Sequence, residues 1–329
     1  MSRAPNVPAL HGLQLYLDAA SADALAPWLD ADSAPSTNPA IAVEVLADPS
    51  EPAPIVQEVL LEEAVGWLGR TAHGLAVGNR EDAWFTIEQS PPRIRGVLGR
   101  RAGSPATREL LLGALVVALR AMGVHGVHAG AVAYRDQALV LVGDSGAGKS
   151  TTATALISVG CHYLSDDGLL IRERAADVEL LPLFSSFRLT EQSLRCFDAL
   201  RPYASKSIVE DKWKLDVCSA FPGQQLPHWL GPKTLLFLER AVGQRSSLRP
   251  VSPAEAVGLL IAQSNALSLT CHPDPRSHLD LLARLVSVAR IAKLELGGEW
   301  LSDPSAAARA LLEQVHSLPS ARERPSGAS

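Results

Sequence analysis

Apolar and polar positions are spread unevenly along the chain. Over roughly the first hundred residues, short apolar stretches (Leu13–Leu17, Ile41–Leu46, Ile55–Leu61, Trp84–Ile87) are broken by clusters of Pro, Ser and Asp, and Ser33–Pro39 reads as a loop. Alternation over Ala40–Leu46 and Ala83–Ile87 predicts strands. This part is expected to be a small mixed α/β domain over residues 1–106. Gly99–Thr107 reads as the joint after it. Thr107 is placed to cap a helix over Arg108–Met122, whose broad apolar face stops near Gly123.

From there the pattern changes to longer elements. Val124–Tyr134 reads as one strand-like run, followed by a turn at Arg135–Gln137. Ala138–Val142 is a run of small and β-branched apolar residues, as expected of a buried parallel strand. It leads into a glycine-rich loop and a helix over Ser150–Val159, closed by Gly160. Strands are expected at Cys161–Leu164, Leu169–Arg172, Thr234–Glu239 and Ala292–Leu296. Helices are expected near Ser252–Ser264, Arg276–Ala289 and Asp303–His316, with a polar stretch at Ser205–Asp216. These elements define a second domain over residues 107–317. The Pro/Ser/Gly/Arg-rich end, residues 318–329, reads as a disordered tail.

Composition narrows the classes. The chain has 329 residues, 47% of them hydrophobic, and a net charge of -5, which suits a soluble globular protein of one large or two moderate domains. A basic nucleic-acid footprint is absent. The most apolar runs, Leu110–Leu119 and Ala138–Val142, are too short to span a bilayer, and the expected location is cytoplasmic. Cys161, Cys196, Cys218 and Cys271 are scattered, with no CxxC pair, so they are expected to be buried thiols.

The chemistry is concentrated after the buried strand. Gly143-Asp144-Ser145-Gly146-Ala147-Gly148-Lys149-Ser150 fits the phosphate-binding pattern G-x-x-x-x-G-K-[ST]. Glycines let successive backbone N–H groups turn toward an anion. The helix that follows adds its positive N-terminal end. Lys149 is placed to reach the β- and γ-phosphates of a nucleoside triphosphate, and the Ser150 hydroxyl to ligate Mg²⁺. Thr151 is grouped with the loop as a nucleotide-binding residue. Asp166 and Asp167 end a predicted strand, where open α/β sheets place their ligand crevice. One of two adjacent carboxylates there can hold the metal and the other can accept a proton; Asp-Asp-Gly is also ordinary turn chemistry. His128 lies within the strand-like run, three residues after His125. The two would point to opposite faces of a strand, so a shared metal is not expected.

With those residues in place, a resemblance becomes specific. Gly126-Val127-His128-Ala129-Gly130, then GDSGAGKS, then Leu164-Ser165-Asp166-Asp167 resembles the catalytic domain of bacterial HPr kinase/phosphorylase in order and spacing. It looks closest to the looser group of related proteins that includes peptide-modifying kinases. The likeness is clear from about residue 110 to 171 and weaker to about residue 296. It implies an α/β P-loop kinase domain of HPr-kinase type behind a smaller mixed N-terminal domain. The implied activity transfers the γ-phosphoryl group of ATP to a serine or threonine of a peptide or small protein. Carried over by motif, Lys149 and Ser150 bind phosphate and Mg²⁺, and Asp166 is the acid/base. Asp167 assists with metal and charge, and His128 lies near the reacting phosphate. A homo-oligomer is also in keeping with that family.

The sequence departs from the family in having Thr151 where Glu usually follows the loop, and in lacking the Arg-Asn signature that contacts HPr. An acceptor other than HPr is therefore expected. Three of the chain's six lysines, Lys206, Lys212 and Lys214, crowd one polar segment. That segment is either a substrate loop or an ordinary solvated one. Arg188 and Arg240 are phosphate-binding or surface ion-pair candidates, and His272 with Pro273–Pro275 reads as a rigid turn. Two other classes stay open: a small-molecule kinase on the same fold, and a nucleotide-binding regulatory protein. Neither an LSGGQ-like transporter signature nor an NKxD GTPase motif is present.

Overall fold

The protein is a mixed α/β chain with several sheets. The computed structural model describes residues 13–17, 41–47, 52–63, 66–79, 83–89, 92–98, 104–120, 122–183, 186–206, 211–241, 243, 245–264 and 275–319. Two compact units are present, Met1–His125 with Ala266–Pro275, and Gly126–Asn265 with Arg276–Ser329. The expected loop at Ser33–Pro39, the joint at 99–103, Cys271, His272, Pro273 and the tail from residue 320 lie outside the described residues.

In the first unit, seven strands form one sheet: β1 (Leu13–Leu17), β2 (Ile41–Ala47), β3 (Glu58–Glu63), β4 (Gly66–Thr71), β5 (Gly74–Gly78), β6 (Trp84–Gln89) and β7 (Pro92–Val97). Their order is β1-β2-β7-β6-β5-β4-β3. The strands from β3 to β7 are joined antiparallel in sequence order, while β1 and β2 add on in parallel. Phe85, Ile87 and Ile94 are buried from this sheet, and Leu111 and Leu115 from helix α1 (Pro105–Arg120). The helix groups with this unit, although the sequence reading assigned it to the second domain. It also starts earlier than expected. Pro105 suits the first helical turn, and Ser104, not Thr107, is the cap, its hydroxyl accepting from Thr107 N at 3.2 Å.

In the second unit a central sheet runs β11-β9-β10-β17-β19-β18. Its members are β9 (Ala129–Tyr134), β10 (Gln137–Val142), β11 (His162–Ser165), β17 (Lys233–Arg240), β18 (Ser247–Pro250) and β19 (Arg290–Leu296). The three middle strands β10, β17 and β19 are parallel. β9 lies antiparallel between β10 and β11. The expected single run Val124–Tyr134 is therefore two strands, β8 (Val124–Val127) and β9, broken at His128.

Every residue of β10 is buried, and its alternate side chains enter two cores. Leu139 and Leu141 pack with helix α2 (Lys149–Ser158) and helix α8 (Pro304–His316). Ala138, Val140 and Val142 pack with helix α5 (Pro253–Ala262), helix α6 (Pro275–Val288) and the strands β12 (Leu169–Arg174) and β13 (Asp177–Pro182). A strand covered on both faces reads as a continuous apolar run, which is why this one was legible. Ser252 and Asp303 cap α5 and α8. A smaller antiparallel sheet, β14 (Ser186–Leu189), β16 (Trp213–Asp216) and β15 (Ala204–Lys206), lies in the order β14-β16-β15.

Burial of all four thiols is not observed. Cys161 is buried, but Cys196 is half-buried after the five-residue helix α3 (Glu191–Arg195). Cys218 is exposed on α4 (Val217–Ala220), a single turn with one buried residue. Burial pushes the Cys161 thiol up to about 12, so it is an inert core group. Among the described residues, no helix is long and apolar enough to cross a membrane.

Candidate phosphate and acid/base site

The site lies at the carboxyl end of β10. The chain leaves the buried strand at Gly143 and must turn sharply into α2. A Cβ on Gly143 would stand 2.9 Å from Leu238 O on the neighbouring strand β17, so the loop presses against backbone there. Gly148 closes the loop with φ +106, a conformation open to glycine, and a Cβ on it would meet Leu296 Cδ1 at 2.8 Å. Asp144, Ser145 and Gly146 are exposed, while Ala147 and Gly148 are half-buried. Ala147 N donates to Asp144 O across the turn.

Lys149 opens α2 and is 5% exposed. Its ammonium donates to Gly143 O at 2.6 Å and Asp144 O at 3.2 Å, and contacts His128 Nε2 at 2.8 Å. The other ring nitrogen of His128, Nδ1, is 3.2 Å from the Asp167 carbonyl and 3.4 Å from its carboxylate Oδ1. A carbonyl only accepts, so Nδ1 carries the proton and Nε2 accepts from Lys149. Burial and then the Lys149 charge pull the His128 pKa down, which agrees with a neutral ring. Burial also lowers the Lys149 pKa, with Lys212 adding to it, against the opposite pull of Asp167, Asp166 and Asp144.

The two aspartates differ in environment. Asp166 is 1% exposed. Ser150 Oγ lies 3.0 Å from each of its carboxylate oxygens, and the Arg188 amide donates to Oδ2 at 3.2 Å. Burial, then the neighbouring Asp167, pushes the Asp166 pKa to about 7, while the Arg188 amide, Ser150 and Lys149 pull the other way. The Asp167 side chain is 30% exposed and open to an incoming group. Its backbone is left-handed at φ 60, which Asp tolerates better than most residues. The turn that carries both is pinned by Ser165. Its hydroxyl bonds Gly168 O and accepts from Leu183 N at 3.2 Å, and Gly168 N donates to Asp166 O at 2.8 Å.

Sequence reasoning missed Gln263, at the C-terminal end of α5. Its side-chain amide donates to Asp144 Oδ1 at 2.7 Å, and its carbonyl accepts from His128 N at 2.9 Å. Gln263, Asp144, Lys149 and His128 thus form a closed ring of hydrogen bonds. No local pattern marks this glutamine. Ser193 was also missed. Its hydroxyl bridges Thr151 Oγ1 at 2.8 Å and Thr190 Oγ1 at 3.0 Å, which places Thr151 in a hydroxyl cluster against α3. Arg240 is exposed at the end of β17.

The donor set fits Mg²⁺ held jointly with phosphate oxygens and water. It offers one hydroxyl and a carboxylate beside a lysine-bearing loop, and this ion usually keeps several waters and needs only one or two protein carboxylates. Among the described residues, no cluster of three or more His, Cys, Asp or Glu side chains is arranged to hold a metal by itself.

No protein-family model matches the chain, and no curated protein sequence matches it. Among solved structures, the Hpr(Ser) kinase/phosphatase from Coxiella burnetii is similar at 12% identity and a TM-score of 0.31, covering 58% of this chain and 98% of that one. At that score the likeness is loose.

Proposed function

We propose that the protein is an ATP- and Mg²⁺-dependent kinase that transfers the γ-phosphoryl group to a serine or threonine hydroxyl of a peptide or small protein. The observation that carries this reading is the pair of unlike carboxylates beside the glycine-rich loop. Asp166 is buried against Ser150, and Asp167 is open beside His128 and Lys149.

Burial and bonding favour a division of labour between them. Both Asp166 oxygens are engaged by the hydroxyl of the loop serine, so Asp166 and Ser150 are the groups that would hold Mg²⁺. The ion would offset charge on the phosphate oxygens. Asp167 is the better proton acceptor, because a hydroxyl can reach it. This reverses the roles that the family resemblance gave the two residues. In the forward direction Asp167 takes the acceptor's proton. The hydroxyl oxygen bonds the γ-phosphorus, and the bond to the bridging oxygen breaks to leave ADP. Lys149 moves from the loop carbonyls to the phosphates. His128, neutral and donating through Nδ1, keeps the Asp167 segment in place.

The test is mass spectrometry of the protein with Mg·ATP and candidate acceptors, comparing Asp167→Asn with Asp166→Asn. Loss of transfer in Asp167→Asn with nucleotide affinity kept is the expected outcome. Phosphate appearing only on a metabolite would replace the peptide acceptor with a small molecule.

A further inference from the structure

Two neighbouring residues at the start of α2 bond in different directions. The Ser150 hydroxyl meets the Asp166 carboxylate at 3.0 Å, whereas the Thr151 hydroxyl meets Ser193 Oγ on α3 at 2.8 Å. Successive helical residues point about 100° apart around the axis. The two contacts together therefore fix the rotation of this first turn as well as its distance from α3. Apolar packing alone does not do so. Ala153 and Ala155 of α2 share one core cluster with Leu189 of β14 and Leu194 of α3, but burial of that kind is non-directional. A hydroxyl bond weakens steeply once its angle is lost.

The chain of hydroxyls continues toward the other side of Asp166. Ser193 Oγ lies 3.0 Å from Thr190 Oγ1, which also accepts from Ser193 N at 3.1 Å and so caps α3. Thr190 directly follows β14 and comes two residues after Arg188, whose amide donates to Asp166 Oδ2 at 3.2 Å. The links close into a ring. They run from Asp166 to Ser150, along the chain to Thr151, across to Ser193 and Thr190, and back along β14 to the Arg188 amide. Ser150 and the Arg188 amide, which hold the buried carboxylate from α2 and from β14, are thus kept at a common separation by the Thr151–Ser193 bond. Ser193 is 9% exposed, so water competes little for that bond.

We propose that Thr151 and Ser193 are positioning residues: their hydroxyl bond holds the first turn of α2 at the rotation that keeps Ser150 on Asp166, and so presents these two groups together to Mg²⁺ and the nucleotide. The metal-binding part rests on the kinase reading above; the placing of Ser150 and Asp166 does not.

Two measurements on the full chain separate the two. Thr151→Val removes one hydroxyl at nearly constant volume, Ser193→Ala removes the other, and Thr151→Ser keeps the bond. In the first measurement, hydrogen exchange of the Arg188 amide is followed in the free protein, against the amides of β10 as a gauge of global opening. Exchange is expected to be about fivefold faster in Thr151→Val and in Ser193→Ala, and close to wild type in Thr151→Ser. The double variant should exchange no faster than the faster single one, because both act through one bond. Unchanged exchange in the single variants, or additive effects in the double one, overturns the proposal. In the second, ADP is titrated with and without Mg²⁺. The gain in affinity from Mg²⁺ is expected to fall about fivefold in Thr151→Val and Ser193→Ala, with the affinity for ADP alone kept and the gain recovered in Thr151→Ser. A gain that stays at the wild-type value, or a loss that Thr151→Ser does not recover, overturns the proposal. Faster Arg188 exchange in the variants, with no gain from Mg²⁺ even in wild type, keeps the positioning and sinks the metal site of the kinase reading instead.

Discussion

The Ser150 hydroxyl sits 3.0 Å from both carboxylate oxygens of Asp166. Ser150 lies in the first turn of α2 and Asp166 follows β11, so this contact ties the glycine-rich loop to the acidic turn. Ser150→Ala removes that donor from a buried carboxylate. The Asp166 pKa should rise further, and Mg·ATP affinity should fall about tenfold. Isothermal titration of the variant with Mg·ATP measures it, and ATP without Mg²⁺ is expected to show a smaller loss.

The raised pKa of Asp166 has two consequences with a definite sign. The carboxyl titrates near 7 in the folded chain against an ordinary 3.8. Between those values the folded state holds a proton that the unfolded state has released, so stability falls as pH rises from about 4 to about 7. Asp166→Asn removes this group, and its urea midpoint is expected to gain on wild type progressively across that window.

A cation favours the ionised form of the same carboxyl. Mg·ATP binding to wild type should therefore weaken as pH drops below about 7 and should release a proton. The release is read as a binding enthalpy that changes with the ionisation enthalpy of the buffer. Asp166→Asn should abolish that dependence.

Gln263 holds Asp144 through its side chain and His128 through its carbonyl. Gln263→Ala keeps the carbonyl bond and loses the amide bond, so kcat is expected to fall about tenfold. Gln263→Glu should lose more, since its carboxylate would face that of Asp144. The urea midpoint of the alanine variant should stay near wild type, which distinguishes positioning from a general loss of structure.

Two loop glycines have positive φ but different surroundings. Gly148, at φ +106, would place a Cβ 2.8 Å from Leu296 Cδ1, whereas a Cβ on Gly146, at φ +84, would enter open space. Gly148→Ala is expected to destabilise by about 1–3 kcal/mol, with Gly146→Ala toward the lower end of that range. Thermal unfolding of the two variants side by side checks the order.

The loop, Lys149, Ser150, Asp166 and Asp167 were legible because their chemistry is local. A buried strand, a glycine-rich turn and a helix follow one another within a few residues, and the acidic pair comes directly after the next strand. His128 was legible as a candidate, but its break between β8 and β9 was not, since Val124–Tyr134 carries no Pro or acidic residue to mark an interruption. Gln263 was invisible because its partner Asp144 lies 119 residues away and is met by a single side chain. The pairing of Arg188 with Lys214 depends on strand register, which the polar segment before β16 does not encode. Helix α1 packs on β5, β6 and β7, a choice of sheet that its broad apolar face alone does not encode.

Phosphate transfer is the most direct measurement of the central claim. The full chain is incubated with Mg·ATP, HPr, serine- and threonine-containing peptides and a metabolite pool, and products are weighed by mass spectrometry alongside Asp167→Asn. One phosphate on a serine or threonine of a peptide or protein, absent with Asp167→Asn although that variant still binds Mg·ATP, is the expected result. Transfer at the wild-type rate by Asp167→Asn, or no phosphorylated acceptor from wild type despite bound Mg·ATP, would contradict it.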